Sequence, residues 1–290
     1  MITIAVRLGL VMRVVCSREE LDTGKGHWGL VPTMGALHVG HLSLVATARA
    51  QCEHLAVSIF VNPLQFNDLQ DYQSYPKDQE RDLKMLQDAG VDLVYIPTVE
   101  QFYPAGFVSR VDLSGPLVEQ WEGAQRPGHF TGVATVLTKL FHAIKPELAF
   151  FGQKDFQQLR VVEQMVQDLE FAVKIIGVAT VREPDGLAFS SRNVFLDPVA
   201  RKDAALIFRC LNTIAEGASQ GLSISPSLAK GLEVLAQGPT LRPEYLAVVD
   251  PASLQPLNDW VAGARAIAAV QVNTALASSV RLIDNMEIQQ

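Results

Sequence analysis

The sequence predicts an α/β protein in which a doubly wound parallel sheet is followed by a smaller C-terminal α+β domain. Two observations predict it. Between Trp28 and Val181, five short runs rich in β-branched and aromatic residues alternate with segments of helical periodicity, which is the pattern of parallel strands covered by helices. After Gly186 the pattern changes to two helices followed by three strand-like runs, as expected for a separate α+β domain.

Composition narrows the class of protein. Of the 290 residues, 48% are hydrophobic and 19% are charged, so the chain can bury a core and is neither disordered nor a disulfide scaffold. The formal net charge of −7 argues against a broad nucleic-acid or membrane-binding face, because both need clustered surplus Lys and Arg. Cys16, Cys52 and Cys210 form no CxxC pair and indicate reduced thiols in a cytoplasmic protein.

The predicted elements follow in chain order. The opening MITIAVRLGLVMRVVC is too short and too charged for a membrane span, and we interpret it as a buried strand or an irregular start. The five predicted strands are GLVPT, LAVSIFV, VDLVYI, ELAFF and FAVKIIGVATV. Two intervening segments place their apolar residues on one helical face. These residues are Val133, Val136, Leu137, Leu140, Phe141 and Ile144 in the first, and Phe156, Leu159, Val162, Val166 and Leu169 in the second.

The C-terminal part is predicted to begin with helices from about Pro198 to Gly217 and from about Ser225 to Ala236. The strands YLAVV, ARAIAAVQV and SVRLID follow them. We place the domain boundary near Glu183–Asp185, which gives domains 1–183 and 184–290.

The segment LVPTMGALHVGHLSLV predicts a phosphate-binding turn. A strand ends near Thr33, Gly35 and Gly40 allow tight turns, and a helix begins at about His41. His38 and His41 then share a helix N-terminus, where free amides and the helix dipole favour an anion and disfavour imidazolium. The alternatives are two ordinary polar residues or half of a zinc site, for which the other histidines offer no suitably spaced third ligand.

Two further segments place cations in similar settings. In AFFGQKDFQQL, Gly152 precedes Lys154 at a helix start, where a lysine opposes the helix dipole unless an anion is bound. The alternative is a solvated lysine beside a capping Asp155. In DGLAFSSRN, two serines and Arg192 can grip a triphosphate or form a polar interdomain turn.

The roles of three other polar side chains can each be interpreted in two ways. Gln65 in FVNPLQF and Gln158 in KDFQQ can orient a substrate carboxylate without neutralising its charge, or they are surface residues. Arg126 in RPGHF is either a further cation of the site or a surface arginine.

Together, PTMGALHVGH, SIFVNPLQF, GAQRPGHFTGV, FGQKDFQQL and DGLAFSSRN resemble in order and spacing the motifs of the pantoate–β-alanine ligase (pantothenate synthetase) family, and the resemblance runs from about Trp28 to the C-terminal RLIDN. Its HxGH element alone is shared with the wider nucleotidyltransferase superfamily. The resemblance implies a Rossmann-like fold and an ATP-dependent condensation of pantoate with β-alanine through a pantoyl adenylate, releasing pyrophosphate and AMP. It also implies Mg²⁺ accompanying ATP, a homodimer and a cytoplasmic location.

The same resemblance implies the residues of the site. His41 is the implied proton donor and His38 its phosphate-binding companion, while Lys154 and Arg192 are implied to hold phosphates. The residues implied to line the ATP site are Met34, Gly35, Ala36, Leu37, His38, Val39, Gly40, His41, Gly152, Gln153, Lys154, Asp155, Val181, Phe189, Ser190, Ser191 and Arg192. The implied substrate-binding positions for pantoate and β-alanine are Gln65 and Gln158, with Asn62 as a neighbour in the loop of Gln65.

Some positions depart from the family pattern. Phe189 stands where Met or Leu is common. In YPKDQERDLKML only Asp82 has the acidic character of the family's metal-binding stretch, and Arg81 matches it poorly. We therefore assign no protein ligand to Mg²⁺ and expect ATP oxygens and water to hold it.

Two other functions remain open on the sequence alone. Another HxGH adenylyltransferase would transfer AMP to a phosphate ester, and would exchange pyrophosphate with phosphopantetheine or a mononucleotide but not with pantoate. A nucleotide-binding sensor would bind ATP and form no AMP. In the ligase, the C-terminal domain is expected to close over the labile adenylate as a lid.

Overall fold

The computed structural model of the protein describes residues 12–24 and 26–289. Residues 1–11, which carry most of the predicted N-terminal strand or irregular start, lie outside this range. The described chain divides into two compact units. Unit 1 comprises the described residues up to Leu113 together with Glu122–Gly152 and Val161–Val178, and unit 2 comprises Ser114–Trp121, Gln153–Arg160 and the described residues from Ala179 onward.

Unit 1 is built on a parallel sheet. Its strands are β1 (Arg13–Val15), β2 (Trp28–Thr33), β3 (His54–Ile59), β4 (Leu93–Tyr95), β5 (Leu148–Gly152) and β6 (Lys174–Val178). They lie in the order β1-β4-β3-β2-β5-β6, and each neighbouring pair is parallel. The five predicted strands are confirmed. The sixth strand, β1, lies in the segment interpreted as a buried strand or an irregular start. It is an edge strand in which Val15 is buried but Arg13 and Val14 are exposed, so the expectation of burial is wrong for these two residues.

The described helices connect and cover the strands. They are α1 (Val39–Arg49), α2 (Leu69–Ser74), α3 (Gln79–Asp88), α4 (Val99–Phe102), α5 (Pro116–Glu119), α6 (Glu122–Gln125), α7 (His129–Ile144), α8 (Phe156–Asp168), α9 (Pro198–Ser219) and α10 (Ile224–Leu235). Short 3₁₀ turns cover Pro63–Gln65, Gln153–Asp155 and Ser191–Phe195.

Within the described ranges, no helix combines the length and the apolar character that crossing a membrane requires.

The core of unit 1 explains the apolar strands. In β3 every residue from Leu55 to Ile59 is buried, because helices cover both faces of a parallel sheet. Leu44 of α1 and Leu86 of α3 pack with Val57 of β3 in one cluster. The predicted apolar face of α7 is entirely buried.

The prediction for α8 needs one correction. Leu159 and Val162 are buried as predicted, but Leu169 is 49% exposed. The reason is that α8 ends at Asp168, so Leu169 no longer follows the helical period. Val161 and Met165 fill the core instead.

The order of the strands indicates where a ligand site is expected. From β2 the chain proceeds outward through β3 to β4, and from β5 it proceeds outward to β6 on the other side. The direction therefore reverses between β2 and β5. In doubly wound sheets, ligands bind outside the carboxyl ends of the strands at such a switch point, which is where the chain leaves β2 as the loop of residues 34–38.

Unit 2 contains an antiparallel sheet of β7 (Leu241–Val249), β8 (Arg265–Thr274) and β9 (Ala277–Glu287), in that order. One cluster joins Ile207 and Ile214 of α9 and Leu235 of α10 to the sheet. A second cluster joins Val249 and Ile267 of the sheet to partners from two earlier segments, Leu117, Trp121 and Phe156. These contacts explain why 114–121 and 153–160 group with unit 2, and the boundary between 183 and 184 stays a prediction.

Candidate active site

The loop after β2 is shaped by two residues in the left-handed region. Gly35 has φ of +83° and Ala36 has φ of +50°. A Cβ on Gly35 would lie 3.1 Å from both the Asp82 carboxylate and the Ile59 side chain, so the backbone conformation and the space both favour glycine. The loop turns tightly enough for α1 to begin at Val39.

The helix start predicted at about His41 is therefore wrong by two residues, and the reason is an unusual cap. His38 is the N-cap: its Nδ1 accepts a hydrogen bond from Gly40 N at 3.1 Å, and Nδ1 of His41 accepts from His38 N at 3.3 Å. This reciprocal arrangement is a capping box in which both side chains are imidazoles. Gly40 lies inside the first helical turn rather than before the helix.

The cap determines what the two histidines offer a ligand. Because each Nδ1 accepts from a main-chain N–H, the proton of each neutral ring is on Nε2. The ring centroids are 4.1 Å apart, so His38 and His41 lie together, as the spacing predicts. Both Nε2–H groups thus belong to residues at the positive end of the α1 dipole, where an anion is favoured.

The side chain of Asp82 stabilises the loop by hydrogen bonds to main-chain atoms of the loop. It lies on α3 with 1% of its surface exposed. Its Oδ2 accepts from Ala36 N and its Oδ1 from Leu37 N, both at 2.8 Å. Burial raises the pKa of this carboxyl, while the two amide hydrogen bonds act in the opposite direction. The resemblance gives Asp82 only the acidic character of the family's metal-binding stretch, whereas its position four residues before the buried Leu86 is typical of a buried helix face.

A buried amide pair lies beside the same loop. Asn62 is 1% exposed and Gln65 is 9% exposed, so Gln65 is not a surface residue. Nδ2 of Asn62 donates to Oε1 of Gln65 at 3.1 Å, and Nε2 of Gln65 donates to Sδ of Met34 at 3.2 Å. The structure thus brings together three of the predicted site residues, Met34, Asn62 and Gln65.

The main chain of Gln65 is held by two residues of the RPGHF motif. Nδ1 of the buried His129 donates to Gln65 O at 2.8 Å, and Nη2 of Arg126 donates to the same oxygen at 3.1 Å. Arg126 is half-buried and helps to hold the main chain of Gln65. The role of His129 was missed, since nothing in its local sequence indicates this partner.

In unit 2, Lys154 lies in the 3₁₀ turn that precedes α8, and its Nζ is 3.7 Å from Oδ1 of Asp155. The turn is held by Asn285 of β9. Nδ2 of Asn285 donates to the carbonyl oxygens of Gln153 at 2.9 Å and Lys154 at 2.8 Å, and Nη1 of Arg265 donates to its Oδ1 at 2.6 Å. This contact gives the RLIDN motif a structural role that sequence reasoning did not identify.

The adjacent glutamines on α8 have different surroundings. Gln157 is buried and its Nε2 donates to the carbonyl oxygens of Leu117 and Gln120. Gln158, the predicted substrate residue, is half-buried. The Gln157 amide therefore stabilises contacts within unit 2.

The DGLAFSSRN segment is also anchored within unit 2. Gly186 has φ of +91°, and Oγ of Ser190 accepts from Arg192 N at 3.2 Å to cap the 3₁₀ turn. Phe189 N donates to Val181 O at 3.1 Å. The predicted ATP-site positions Val181, Phe189, Ser190 and Arg192 are thereby parts of one hydrogen-bonded segment.

The donor set for a metal is poor. Among the described residues, no group of three or more His, Cys, Asp or Glu side chains is arranged to hold an ion. Both carboxylate oxygens of Asp82 already accept main-chain hydrogen bonds.

Comparisons with known proteins agree with one another. The sequence model of the family described as pantoate-beta-alanine ligase matches residues 10–287. Pantothenate synthetase of Thermus thermophilus is 54% identical over 279 residues, which is 96% of this chain and 99% of the relative. That of Chloroflexus aggregans is 52% identical over 276 residues, covering 95% and 98%.

Solved structures give the same result. The crystal structure of pantothenate synthetase from Thermus thermophilus has a TM-score of 0.91 at 52% identity, covering 96% of this chain and 100% of the other. The pantoate-beta-alanine ligase of Francisella tularensis, complexed with beta-gamma ATP and beta-alanine, has a TM-score of 0.78 at 32% identity and covers 97% and 99%.

Proposed function

The chain belongs to the pantoate-beta-alanine ligase family, and from this premise we propose that it joins (R)-pantoate to β-alanine in two steps on one site. The pantoate carboxylate attacks the α-phosphorus of ATP and pyrophosphate leaves, which gives pantoyl adenylate. The β-alanine amine then attacks the acyl carbon and AMP leaves. The observation that carries the proposal is the pair of imidazole donors at the start of α1, in the loop that also contacts the buried Gln65 amide.

The first step brings a carboxylate to an anionic phosphate, so charge repulsion and misalignment dominate its barrier. Prealigned donors lower such a barrier because they stabilise developing negative charge without having to reorganise. Nε2–H of His41 donates to the phosphate oxygens as negative charge moves to the leaving pyrophosphate, and His38 binds beside it. Lys154 and Arg192 supply positive charge to the same triphosphate.

The other positions have binding roles. The ATP-binding set comprises Met34, Gly35, Ala36, Leu37, Val39, Gly40, Gly152, Gln153, Asp155, Val181, Phe189, Ser190 and Ser191. Gln65 and Gln158 donate to pantoate oxygens, with Gln65 also near the amine and Asn62 beside it. A neutral amide orients the carboxylate and leaves it nucleophilic, whereas an arginine would neutralise its charge.

The remaining parts of the proposal concern partners and location. Mg²⁺ accompanies ATP, held by phosphate oxygens and water, and would offset charge on the triphosphate. Residues 184–290 act as a lid that protects the adenylate from hydrolysis. The enzyme works as a cytoplasmic homodimer.

The test of the reaction is an assay of AMP release in which pantoate, β-alanine or ATP is omitted in turn. AMP should form only with all three present, and pyrophosphate exchange into ATP should require pantoate but not β-alanine. Exchange with phosphopantetheine or a mononucleotide in place of pantoate would instead indicate an adenylyltransferase for phosphate esters. ATP binding without AMP formation would indicate a sensor.

The test of the site is His41→Ala. Loss of one such donor typically costs about 3–4 kcal/mol of transition-state stabilisation, or a factor of about 10² to 10³ in rate, so pantoate-dependent exchange should fall by that factor while the fold survives. His142→Ala, at an exposed position of α7, is the matched control and should retain exchange. Near-normal exchange by the His41 variant would refute the assigned role.

A further inference from the structure

A tyrosine outside the predicted site is hydrogen-bonded to its amide pair. Oη of Tyr103, the residue after α4, donates to Oδ1 of Asn62 at 2.9 Å. Burial raises the pKa of Tyr103 further above neutrality, and because an amide oxygen can only accept, the protonated hydroxyl is the donor. The reaction proposed above leaves Tyr103 without a role.

Two main-chain groups fix the orientation of the Asn62 amide. Leu64 N donates to its Oδ1 at 3.2 Å, and its Nδ2 donates to Gly132 O at 3.0 Å. A main-chain N–H cannot accept and a carbonyl cannot donate. Exchanging the oxygen and nitrogen of Asn62 would therefore oppose donor to donor and acceptor to acceptor in a side chain that is 1% exposed.

The fixed polarity of Asn62 sets that of Gln65. The second hydrogen on Nδ2 of Asn62 donates to Oε1 of Gln65 at 3.1 Å, so the other end of the Gln65 side chain is the NH₂ group. That group contacts a weak acceptor, the thioether of Met34, at 3.2 Å. A carboxylate or hydroxyl oxygen of a ligand would be a stronger acceptor for the same hydrogens.

We infer that Tyr103 is a positioning residue for the acid substrate: its hydroxyl adds a hydrogen bond to the Asn62 amide, whose polarity the main chain sets, and so helps to hold Gln65 with its NH₂ group available as a donor. This inference rests on the proposed contact between Gln65 and pantoate. It assigns a specificity to the site, because oxygen acceptors are favoured at this position and ligands that present an N–H there are disfavoured. We call Tyr103, Asn62 and Gln65 the amide relay.

The ring of Tyr103 is held independently of its hydroxyl. It packs against Phe102 and Phe107, each with a centroid separation of 4.9 Å, and Nζ of Lys139 lies 5.8 Å from the centroid of the tyrosine ring. These contacts use the ring face and edges, which phenylalanine also has. Tyr103→Phe therefore removes the relay's first hydrogen bond and leaves the packing in place.

The experiment measures steady-state kinetics of the full chain with Tyr103→Phe, and with Tyr95→Phe as the control, a buried tyrosine of β4. Loss of one hydrogen bond that acts through a neighbour should raise KM for pantoate about 3- to 10-fold. KM for ATP and the thermal midpoint should stay near those of the wild type. Tyr95→Phe should leave KM for pantoate unchanged.

A double-mutant cycle separates positioning from general structural support. In a Gln65→Ala background, Tyr103→Phe should cause no further rise in KM for pantoate, because the group on which it acts is gone. An equal rise in both backgrounds, or no rise in the wild-type background, overturns the inference.

The Gln65→Ala variant by itself tests the premise. If it raises KM for pantoate while Tyr103→Phe does not, the proposed substrate contact stands and the amide relay is refuted. If Gln65→Ala leaves KM for pantoate unchanged, the proposed contact fails and the inference fails with it.

Discussion

The carboxylate of Asp82 gives the loop of residues 34–38 its shape. It accepts hydrogen bonds from the main-chain amides of Ala36 and Leu37. Without Asp82, these amides could bind phosphate in the manner of a glycine-rich loop. In the proposed reaction, the anion-binding role at the start of α1 therefore falls to the two imidazole caps. The loop amides stabilise the loop, and the side chains of His38 and His41 are proposed to bind the phosphates.

Asp82→Asn should lower pantoate-dependent pyrophosphate exchange by about tenfold or more. The NH₂ group would face one of the two loop amides, and an unsatisfied buried donor costs about 1–3 kcal/mol. The loop would shift to relieve this contact, which moves His38 relative to the phosphates. Removal of a buried charge offsets part of the stability loss, so activity should fall more than the urea midpoint.

The control for this prediction is Asp88→Asn, an exposed carboxylate at the end of the same helix, which should behave as wild type. Equal effects of the two substitutions would show that Asp82 has no special relation to the loop.

At the residue scale, sequence reasoning finds side chains whose chemistry is visible locally and misses those that act through distant partners. His38 and His41 are three residues apart, and one helical turn brings their rings together. Asp82 meets the loop across 45 or 46 positions of the chain, and Asn285 meets Lys154 across 131. Such separations are determined by the tertiary fold, which a motif does not encode.

At the scale of elements, the packing of α7 against the 3₁₀ turn of residues 63–65 depends on one glycine. A Cβ on Gly132 would lie 2.3 Å from Leu64 O and 2.6 Å from Gln65 N. Gly→Ala in a helix interior ordinarily stabilises by about 0.5–1 kcal/mol. Here the clash is with main-chain atoms, so it exceeds that gain.

Gly132→Ala should therefore destabilise the protein and raise KM for pantoate, because the turn that carries Gln65 must move. The measurements are the urea midpoint and the kinetics. Ala143→Gly on the same helix should cost about 1 kcal/mol of helix propensity without touching the turn, and so leave KM for pantoate unchanged. A stabilised Gly132→Ala variant with normal kinetics would contradict the argument.

The contact between β9 and the 3₁₀ turn of residues 153–155 leads to a second prediction at the scale of elements. Asn285→Ala removes both hydrogen bonds to the carbonyl oxygens of residues 153 and 154, so Lys154 loses its fixed position. Since Lys154 is proposed to hold phosphate, KM for ATP should rise about tenfold or more, consistent with the loss of two hydrogen bonds. Asn273→Ala, at an exposed position of β8, should have no effect, and an unchanged KM for ATP in the Asn285 variant would refute the link.

The elements themselves are largely predictable, because long apolar runs and helical periods are local features of the sequence. The exceptions lie at the ends of elements. The start of α1 is hard to place because the capping residue is a histidine rather than Ser, Thr, Asp or Asn, and the end of α8 is hard to place because an apolar Leu169 follows it. For β1 the sequence predicts a buried strand or an irregular start, and its edge position is not predicted, because the exposure of Arg13 and Val14 depends on which strand pairs beside it.

At the scale of the whole molecule, each unit has its own apolar core. Leu55 and Val57 belong to that of unit 1, and Ile207 and Leu211 belong to that of unit 2. Each core is formed within its own unit, as expected for a separate domain. In the proposed reaction, a lid would exclude water after pantoate is activated and admit it again when products leave.

The lid role proposed for residues 184–290 therefore predicts a ligand-dependent change in solution scattering. A non-hydrolysable pantoyl-adenylate analogue at saturating concentration should reduce the radius of gyration, whereas AMP, which lacks the acyl group, should reduce it less. The same analogue should protect main-chain amides of residues 184–290 from hydrogen exchange, since closure lowers their exposure to water. Superimposable scattering curves with and without the bound analogue would exclude closure, and the adenylate would then have to be protected by the fixed walls of its site.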